Sequence, residues 1–304
     1  MVKINHIYRY CSPFFIVNFI RVNLLKLWVA NSRFISNDKF FLKIYYLLAM
    51  KEFLDFKHPK TYSQKLQVLK LRNCEPIHSV LVDKFAVRSV VSNLIGESYL
   101  IPIIGVYNTF EEIDLVRLPK QFVLKTTHDS GSVIVCTNKD CFDWSLAREA
   151  MSKSLKSNYF FKSREYPYKH AVPRIMVEKY MHDNNQLVLD DYKFFCFNGD
   201  VEFVEVTKGK GNQKYRGYFS NNFTPLAITD NYNTKSGVFS KPDGFQEMIQ
   251  IAQTLSKGFI HVRIDLYFIS GKIYFGEYTF HHCGGIIKFN PDVYNYKFGD
   301  FVTL

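Results

Sequence analysis

Residues 261–280, HVRIDLYFISGKIYFGEYTF, constrain this chain more than any other stretch. Two alternating runs flank Ser270-Gly271, a pattern that fits a β-hairpin and no helix. Residues two apart on a strand share a face. Arg263, Asp265 and Tyr267 therefore stand on one face, with Val262, Ile264, Leu266 and Phe268 on the other. On the second strand, Glu277 and Thr279 share a face with Phe275. A loop with an odd number of residues centred on Gly271 sets Asp265 across from Glu277, and Arg263 across from Thr279. Cross-strand Cβ atoms lie about 4.5–5.5 Å apart. Two carboxylates that close repel unless a cation sits between them. Their hard oxygens suit Mg²⁺, which takes one or two carboxylates together with phosphates. Arg263 beside them can hold a phosphoryl oxygen. Viewed alone, the same residues also read as a solvated strand face with an Arg–Asp pair.

Hydrophobic residues make up 47% of the 304 and charged residues 22%, which excludes a disordered chain. The 29 Phe and 20 Tyr recur through the predicted strands and helices, so most read as core. The net charge of +11 favours anionic partners: nucleotide phosphates, an acidic polymer, nucleic acid or an anionic membrane face. Lys and Arg are spread along the chain without a like-charge block, so composition selects none of these. The six cysteines form no CxxC pair and read as reduced thiols of a cytoplasmic protein.

Residues 13–30, PFFIVNFIRVNLLKLWVA, are apolar but broken by Asn18, Arg21, Asn23 and Lys26. A spanning helix wants roughly 20 nearly uninterrupted apolar residues. A packed helix is the first reading, and a helix lying on the inner face of a membrane is the second.

Residues 1–75 read as a helical N-terminal region, and 76–304 as one α+β domain. Ser36-Asn37-Asp38 caps a helix through KFFLKIYYLLAMKEFL, and Thr61-Tyr62-Ser63 starts another. VLVDKFAVRSVVSNLIG reads as a single amphipathic helix stopped by Gly96. QFVLK and SVIVC form a hairpin around TTHDSG. RIMVEKYM, LVLDDYKFFCFNG and DVEFVEV are strands, with Asn198-Gly199 as a turn. KGKGNQKYRGYF, residues 208–219, reads as a basic loop that is either solvated or a mobile lid over an acidic substrate.

Two further groupings carry chemistry. Lys125 ends a strand and Ser130-Gly131-Ser132 follows, so small residues and a point charge are available to phosphate oxygens. Glu178, Asp191 and Lys193 stand among apolar residues in MVEKYM and DDYKFFCFNG, where a connector can offer backbone groups to an adenine and a carboxylate to a ribose. Each alone also reads as ordinary surface charge.

Together they resemble the ATP-grasp superfamily, including D-alanine–D-alanine ligase. The carrying residues are VLK at 123–125, SGS at 130–132, VEKY at 177–180, RID at 263–265 and EYT at 277–279. DKFAVR at 83–88 is similar to the lysine-bearing helix that precedes the grasp. Thr279 departs from the family, which often has Asn there. A closer resemblance is to the TupA-like branch, through LVDKFAVRSVV, YLIPIIGVYNTFEEID, LPKQFVLKTTH, DYKFFCFNGD and VRIDLYFISGKIYFGEYTF.

The resemblance implies an ATP-grasp fold with ATP and Mg²⁺ in a cleft between the 121–181 and 186–290 parts. It implies that Lys84 and Lys125 hold phosphates and that the Thr127–Ser132 loop, with Ser130, Gly131 and Ser132, closes over them. Glu178, Lys179, Tyr180 and Met181 would form the adenine hinge, and Asp191 would meet ribose. Asp265, Glu277 and Thr279 would hold the metal, with Lys193 and Arg263 on the phosphoryl group. The implied reaction makes an acyl phosphate and then an amide, between an amino acid and an acidic glycan of a bacterial surface polysaccharide.

His281-His282-Cys283 offers zinc-type ligands, but no second cluster completes a site, and HHCGG reads better as acceptor pocket. Lys208, Lys210, Lys214 and Arg216 are the basic candidates for the glycan. Three rival readings stand beside this one. They are a glycosyltransferase, for which there is no DxD motif, a dipeptide-type ligase on free amino acids, and a nucleic-acid binder. The last wants exposed aromatics among clustered Lys and Arg; here the aromatics alternate into cores, so nucleic acid is not the expected partner.

Overall fold

A computed structural model describes residues 13–183, 189–209, 214–232, 235–237 and 239–304. The chain opens with α1 (Pro13–Ala30) and α2 (Asp38–Met50), followed by α3 (Tyr62–Arg72). Asn37 caps α2 by accepting from the Phe40 amide, and Thr61 and Gln64 form a capping box on α3. α3 belongs to the same core as the C-terminal strands. Tyr62 donates its hydroxyl proton to His261 Nε2 at 2.8 Å, and Leu66 and Leu69 pack with Phe195, Phe203 and Ile287.

The segment expected as one helix is two: α4 (Pro76–Val82) and α5 (Val87–Ile95). Asp83 breaks it by accepting from the Phe85 and Ala86 amides, at 2.9 and 3.0 Å. Lys84 therefore sits in a turn and not on a helix.

Two sheets follow. The smaller joins β1 (Ile103–Tyr107), β2 (Phe122–Thr126), β3 (Val133–Cys136) and, after α6 (Trp144–Leu155) and α7 (Phe160–Ser163), β4 (Ile175–Lys179), in the order β1-β4-β2-β3. The larger is built on β5 (Asp191–Phe197), β6 (Asp200–Lys208) and β7 (Tyr215–Ser220). Short pieces come next: β8 (Pro225–Leu226), β9 (Thr229–Asp230) and β10 (Lys235–Ser236). α8 (Phe245–Ser256) leads into β11 (His261–Ile269) and β12 (Lys272–Thr279), and β13 (Phe289–Asn290) and α9 (Val293–Asp300) close the chain. The sheet order is β10-β7-β6-β5-β11-β12, with β8 on β7 and β9 paired to β13. The basic segment is thus no loop along its whole length: Lys208 ends β6 and Tyr215–Ser220 is β7. Lys210 lies outside the described residues.

Alternation gives the large sheet two unlike faces. Tyr192, Phe194, Val204, Val206, Ile264 and Leu266 pack against Phe245, Met248, Ala252 and Leu255 of α8. The opposite face carries Glu205, Lys193, Arg263 and Asp265, all buried.

Candidate active site

Strand register sets four charged residues in one row across the large sheet. Glu205 pairs with Lys193, Lys193 with Asp265, and Asp265 with Glu277. Arg263 pairs with Thr279 two rungs along, on the same face, so both expected cross-strand pairs form. The route to them differs from the expectation. The turn is the two-residue Ser270-Gly271, both at positive φ, closed by Ile269 and Lys272. A bulge then falls at Gly276, because Asp265 pairs with Glu277 while Leu266 pairs with Phe275. That extra residue restores the Asp265–Glu277 pair. It also corrects the placing of Phe275, which lies with Leu266 on the apolar face and not beside Glu277.

Arg263 is the hub of the row. Its Nε and Nη2 donate to the two Asp265 oxygens at 2.6 Å each, and Nη2 also reaches Glu277 at 3.1 Å and Thr279 at 3.0 Å. Nη1 donates to His282 Nδ1 at 2.5 Å, and His282 Nε2 lies 3.6 Å from Glu205. Burial, with Arg263 adjoining, holds His282 well below the usual imidazole range, so it accepts from Arg263 as a neutral ring. Burial pushes the Asp265 carboxyl up to about 7; Arg263 and Lys193 oppose the rise, and Asp191 and Glu277 add to it. Burial works against the Glu205 charge too, but Lys193, Arg216 and Arg263 hold that carboxyl below its ordinary value.

A cleft of about 290 Å³ lies between the two sheets. Val123, Lys125, Val133 and Val135 line it from the small sheet, Tyr180 and Met181 from the connector, and Asp191, Thr207 and Tyr267 from the large sheet. Lys125 and Asp191 thus share one hollow although they are far apart in sequence. Lys125 Nζ is 2.5 Å from Glu178 Oε2, which is buried behind it. Lys179 next to it is exposed and does not line the cleft. Lys193 pairs with Asp191 and reaches Thr207 at 3.3 Å. Lys214 lines this same cleft.

The loop after β2 is anchored rather than free. Asp129 accepts from Thr126 and Ser154 at 2.7 Å each, and from Ser132. Lys84 donates to the Thr126 carbonyl at 3.0 Å and to the Asp129 carbonyl, so its ammonium serves this loop directly. Ser130 and Gly131 remain exposed at the tip, where Gly131 has φ +97°.

A second cavity, about 390 Å³, borders the other side of the row. Arg263, Glu277, Thr279, Ser130 and His281 line it together with Tyr45, Tyr159, Tyr168, Tyr232, Lys162 and Glu165. His281 faces Glu165 at 3.5 Å, and Ser163 donates to Glu165 at 2.6 Å. Lys70 backs this wall, donating to the carbonyls of Ser163 at 2.8 Å and Gly284 at 2.6 Å. His282 turns away from the cavity to Arg263, so the adjacent histidines do not converge on a zinc site. Arg216 does not belong to a lid. It is held by Asp230 and by Glu205 at 3.1 Å. Lys208 lies 3.8 Å from Asp190.

The sequence missed the four tyrosines, Lys162, Glu165 and Asp129. Tyr159, Lys162, Glu165 and Tyr168 fall in the polar–aromatic run YFFKSREYPY at 159–168, while Tyr45, Asp129 and Tyr232 stand in other segments.

The donor set fits Mg²⁺. Two carboxylates face each other, and Asp191 Oδ1 is buried without a hydrogen-bond partner. Among the described residues no three His, Cys, Asp or Glu gather as a metal cage. Mg²⁺ sites commonly combine one or two carboxylates with substrate oxygens, and this donor set fits that arrangement.

No curated protein matches the chain. Among solved structures, D-alanine–D-alanine ligase from Helicobacter pylori matches at 12% identity over 74% of this chain and 62% of that one, with a TM-score of 0.40. D-alanyl-alanine synthetase A from Vibrio cholerae O1 biovar eltor matches at 15% identity over 68% and 57%, with a TM-score of 0.41. The ATP-grasp ligase PsnB, complexed with minimal precursor, Mg and ADP, matches at 10% identity over 72% and 57%, with a TM-score of 0.35. The chain spans less than two thirds of the length of each of these proteins. The family described as TupA-like ATPgrasp matches residues 64–303, which hold both sheets, the cleft and the charged row. The chain therefore belongs to the TupA-like ATP-grasp family, and its fold is the α+β ATP-grasp fold preceded by helices.

Proposed function

We propose that this chain is an ATP- and Mg²⁺-dependent carboxylate–amine ligase that works in the cytoplasm through an acyl phosphate. One observation carries the reading: two separate hollows border a single charged row. Lys125 and Asp191 line one, and Arg263, Glu277 and Thr279 line the other. A reaction that passes a phosphoryl group from a nucleotide to a second substrate needs that layout.

Asp265 and Glu277, with Thr279 at the edge, would hold Mg²⁺, which would neutralise charge at the phosphates. The protein's own groups position the reactants. Lys125, steadied by Glu178, holds phosphate from β2. Tyr180 and Met181 frame the adenine, and Asp191 meets the ribose. Arg263, fixed in place by Asp265 and His282, presents guanidinium N–H groups to the phosphoryl oxygens in transit. A carboxylate oxygen bonds to the γ-phosphorus as the bond to ADP breaks. The amine nitrogen then bonds to the acyl carbon and loses a proton, and phosphate leaves with its electron pair.

The acceptors we propose are an amino acid and a carboxylated sugar of a bacterial surface polysaccharide. Four tyrosines on the second cavity offer flat faces to a sugar ring. Lys162 offers a cation to its carboxylate, and the net charge of +11 favours a polyanion.

The test is ADP release by the purified chain with ATP, Mg²⁺ and amino acids, with and without uronic-acid glycans. Glycan-dependent release is expected, and Asp265→Asn and Glu277→Gln should remain folded and lose about 10²–10³ in rate. Full activity in both variants overturns the metal assignment. Full-rate joining of two free amino acids without glycan replaces the polysaccharide reading with a dipeptide ligase.

A further inference from the structure

Helix α1 packs one side on the protein and leaves a stripe of apolar residues facing solvent. Asn18, Arg21, Leu25, Trp28 and Val29 recur at helical spacing on the half-buried side. Arg21 reaches the end of α2, donating to the carbonyls of Leu48 and, at 3.3 Å, Ala49. Trp28 Nε1 donates to the Phe41 carbonyl at 3.2 Å, and its ring stacks on Phe41. On the outer side Val17, Ile20, Leu24 and Leu27 form a continuous stripe, each between 48% and 63% exposed, with Phe19 beside it. Phe34, 87% exposed, follows the helix, and Phe40 packs edge-on to Trp28 while half its surface remains open.

A helix that faces water turns such a stripe inward. The stripe needs an apolar neighbour, and charge identifies which kind. Residues 1–37 contain Lys3, Arg9, Arg21, Lys26 and Arg33 and no Asp or Glu. Lys26, Arg33, Lys39 and Lys43 are exposed on α1, after it and on α2. A second copy would bring the same cations against these and be repelled. An anionic lipid surface takes both the apolar stripe and the cations. Among the described residues no helix is long and apolar enough to cross a membrane, and Arg21 is committed to α2.

We propose that α1 docks this protein on an anionic bilayer, with Ile20, Leu24 and Leu27 in the headgroup–acyl boundary and Lys26 and Arg33 against lipid phosphates. The whole chain should co-sediment with vesicles of three parts phosphatidylcholine to one part phosphatidylglycerol. It should bind far less to phosphatidylcholine alone and be released by high salt. Leu24→Glu with Leu27→Glu should weaken binding at least about tenfold. Lys26→Glu with Arg33→Glu should weaken it by about fivefold or more per residue. These side chains are exposed, so both variants should match the parent's circular dichroism and melting. Failure to bind anionic vesicles overturns the proposal, as does binding undiminished in the Leu24/Leu27 variant. It also falls if light scattering shows a dimer that this variant dissolves while vesicles capture nothing.

Discussion

Asp265 faces Glu277 because Gly276 stands out of the ladder between them and their turn. A Cβ at Gly276 would meet the Asp265 carbonyl oxygen at 3.0 Å and the Tyr267 ring at 3.2 Å. Gly276→Ala should therefore cost about 1–3 kcal/mol and disturb the carboxylate pair. Gly271→Ala is the contrasting case. Its φ is +78° and nothing lies within 4 Å, so it should cost about 1–2 kcal/mol of backbone strain. Urea titration should show similar losses in the two variants, while ADP release falls at least about tenfold only at Gly276.

Lys125 and Glu178 form a pair that can be taken apart in two steps. Lys125→Met leaves the buried Glu178 carboxylate without its partner, 2.5 Å away in the parent. Stability should drop by about 3 kcal/mol, and adding Glu178→Gln should recover most of it. ATP binding, followed by nucleotide-induced change in melting temperature, should stay lost in both. Recovery of binding in the double variant would remove Lys125 from the phosphate role.

Lys214 and Lys162 border different hollows. Lys214→Glu should raise the KM for ATP by about tenfold and leave the acceptor KM nearly unchanged. Lys162→Glu should do the reverse with an acidic glycan. Steady-state kinetics with each substrate varied in turn checks the split.

The parts of this molecule legible in its sequence were those written locally. Alternation around Ser270-Gly271 revealed the last hairpin, and the Arg263, Asp265 and Glu277 faces followed from it. The Gly276 bulge left no such trace, because a glycine after an aromatic in a strand looks like any other. Asp83 sits where a helix tolerates it, so its capping of the next turn was invisible before the fold placed it. The Lys and Gly of residues 208–219 hid the alternation of β7. The second cavity was the least legible. Tyr45, Tyr159, Tyr168 and Tyr232 come from segments with no shared pattern, and only the fold brings them to one cavity beside Arg263, Glu277 and Thr279.

His261 should make the fold lose stability on mild acidification. His261 is buried, accepts from Tyr62, and donates Nδ1–H to the Cys196 carbonyl at 2.8 Å. Burial lowers its pKa to about 3, with His281 and Arg263 adding to the fall. An unfolded histidine binds its proton near pH 6.5. Below that value the unfolded chain holds a proton that the folded chain refuses. This one group therefore removes stability as pH falls, by about 1.4 kcal/mol per unit, until about pH 3. His78, His281 and His282 are displaced in the same direction. Asp265, pushed up to about 7, works the other way, since the folded chain takes up a proton there that the unfolded carboxyl refuses until about pH 4. The histidine contribution is therefore read as a difference between parent and variant, from urea midpoints at about pH 7 and about pH 5. Over that interval the parent should lose stability relative to His261→Asn.

Tyr45 stands on α2, while the family match begins at residue 64. One lining residue of the second cavity is thus supplied from outside the part of the chain that the family match covers. Arg21 ties that same helix to α1, so the wall and the surface helix are one mechanical piece. β2, β5 and the charged row all stand in the part that the family match covers. If the cavity takes the acceptor as proposed, a change at Tyr45 alters one wall of it from outside the matched region and leaves the charged row in place.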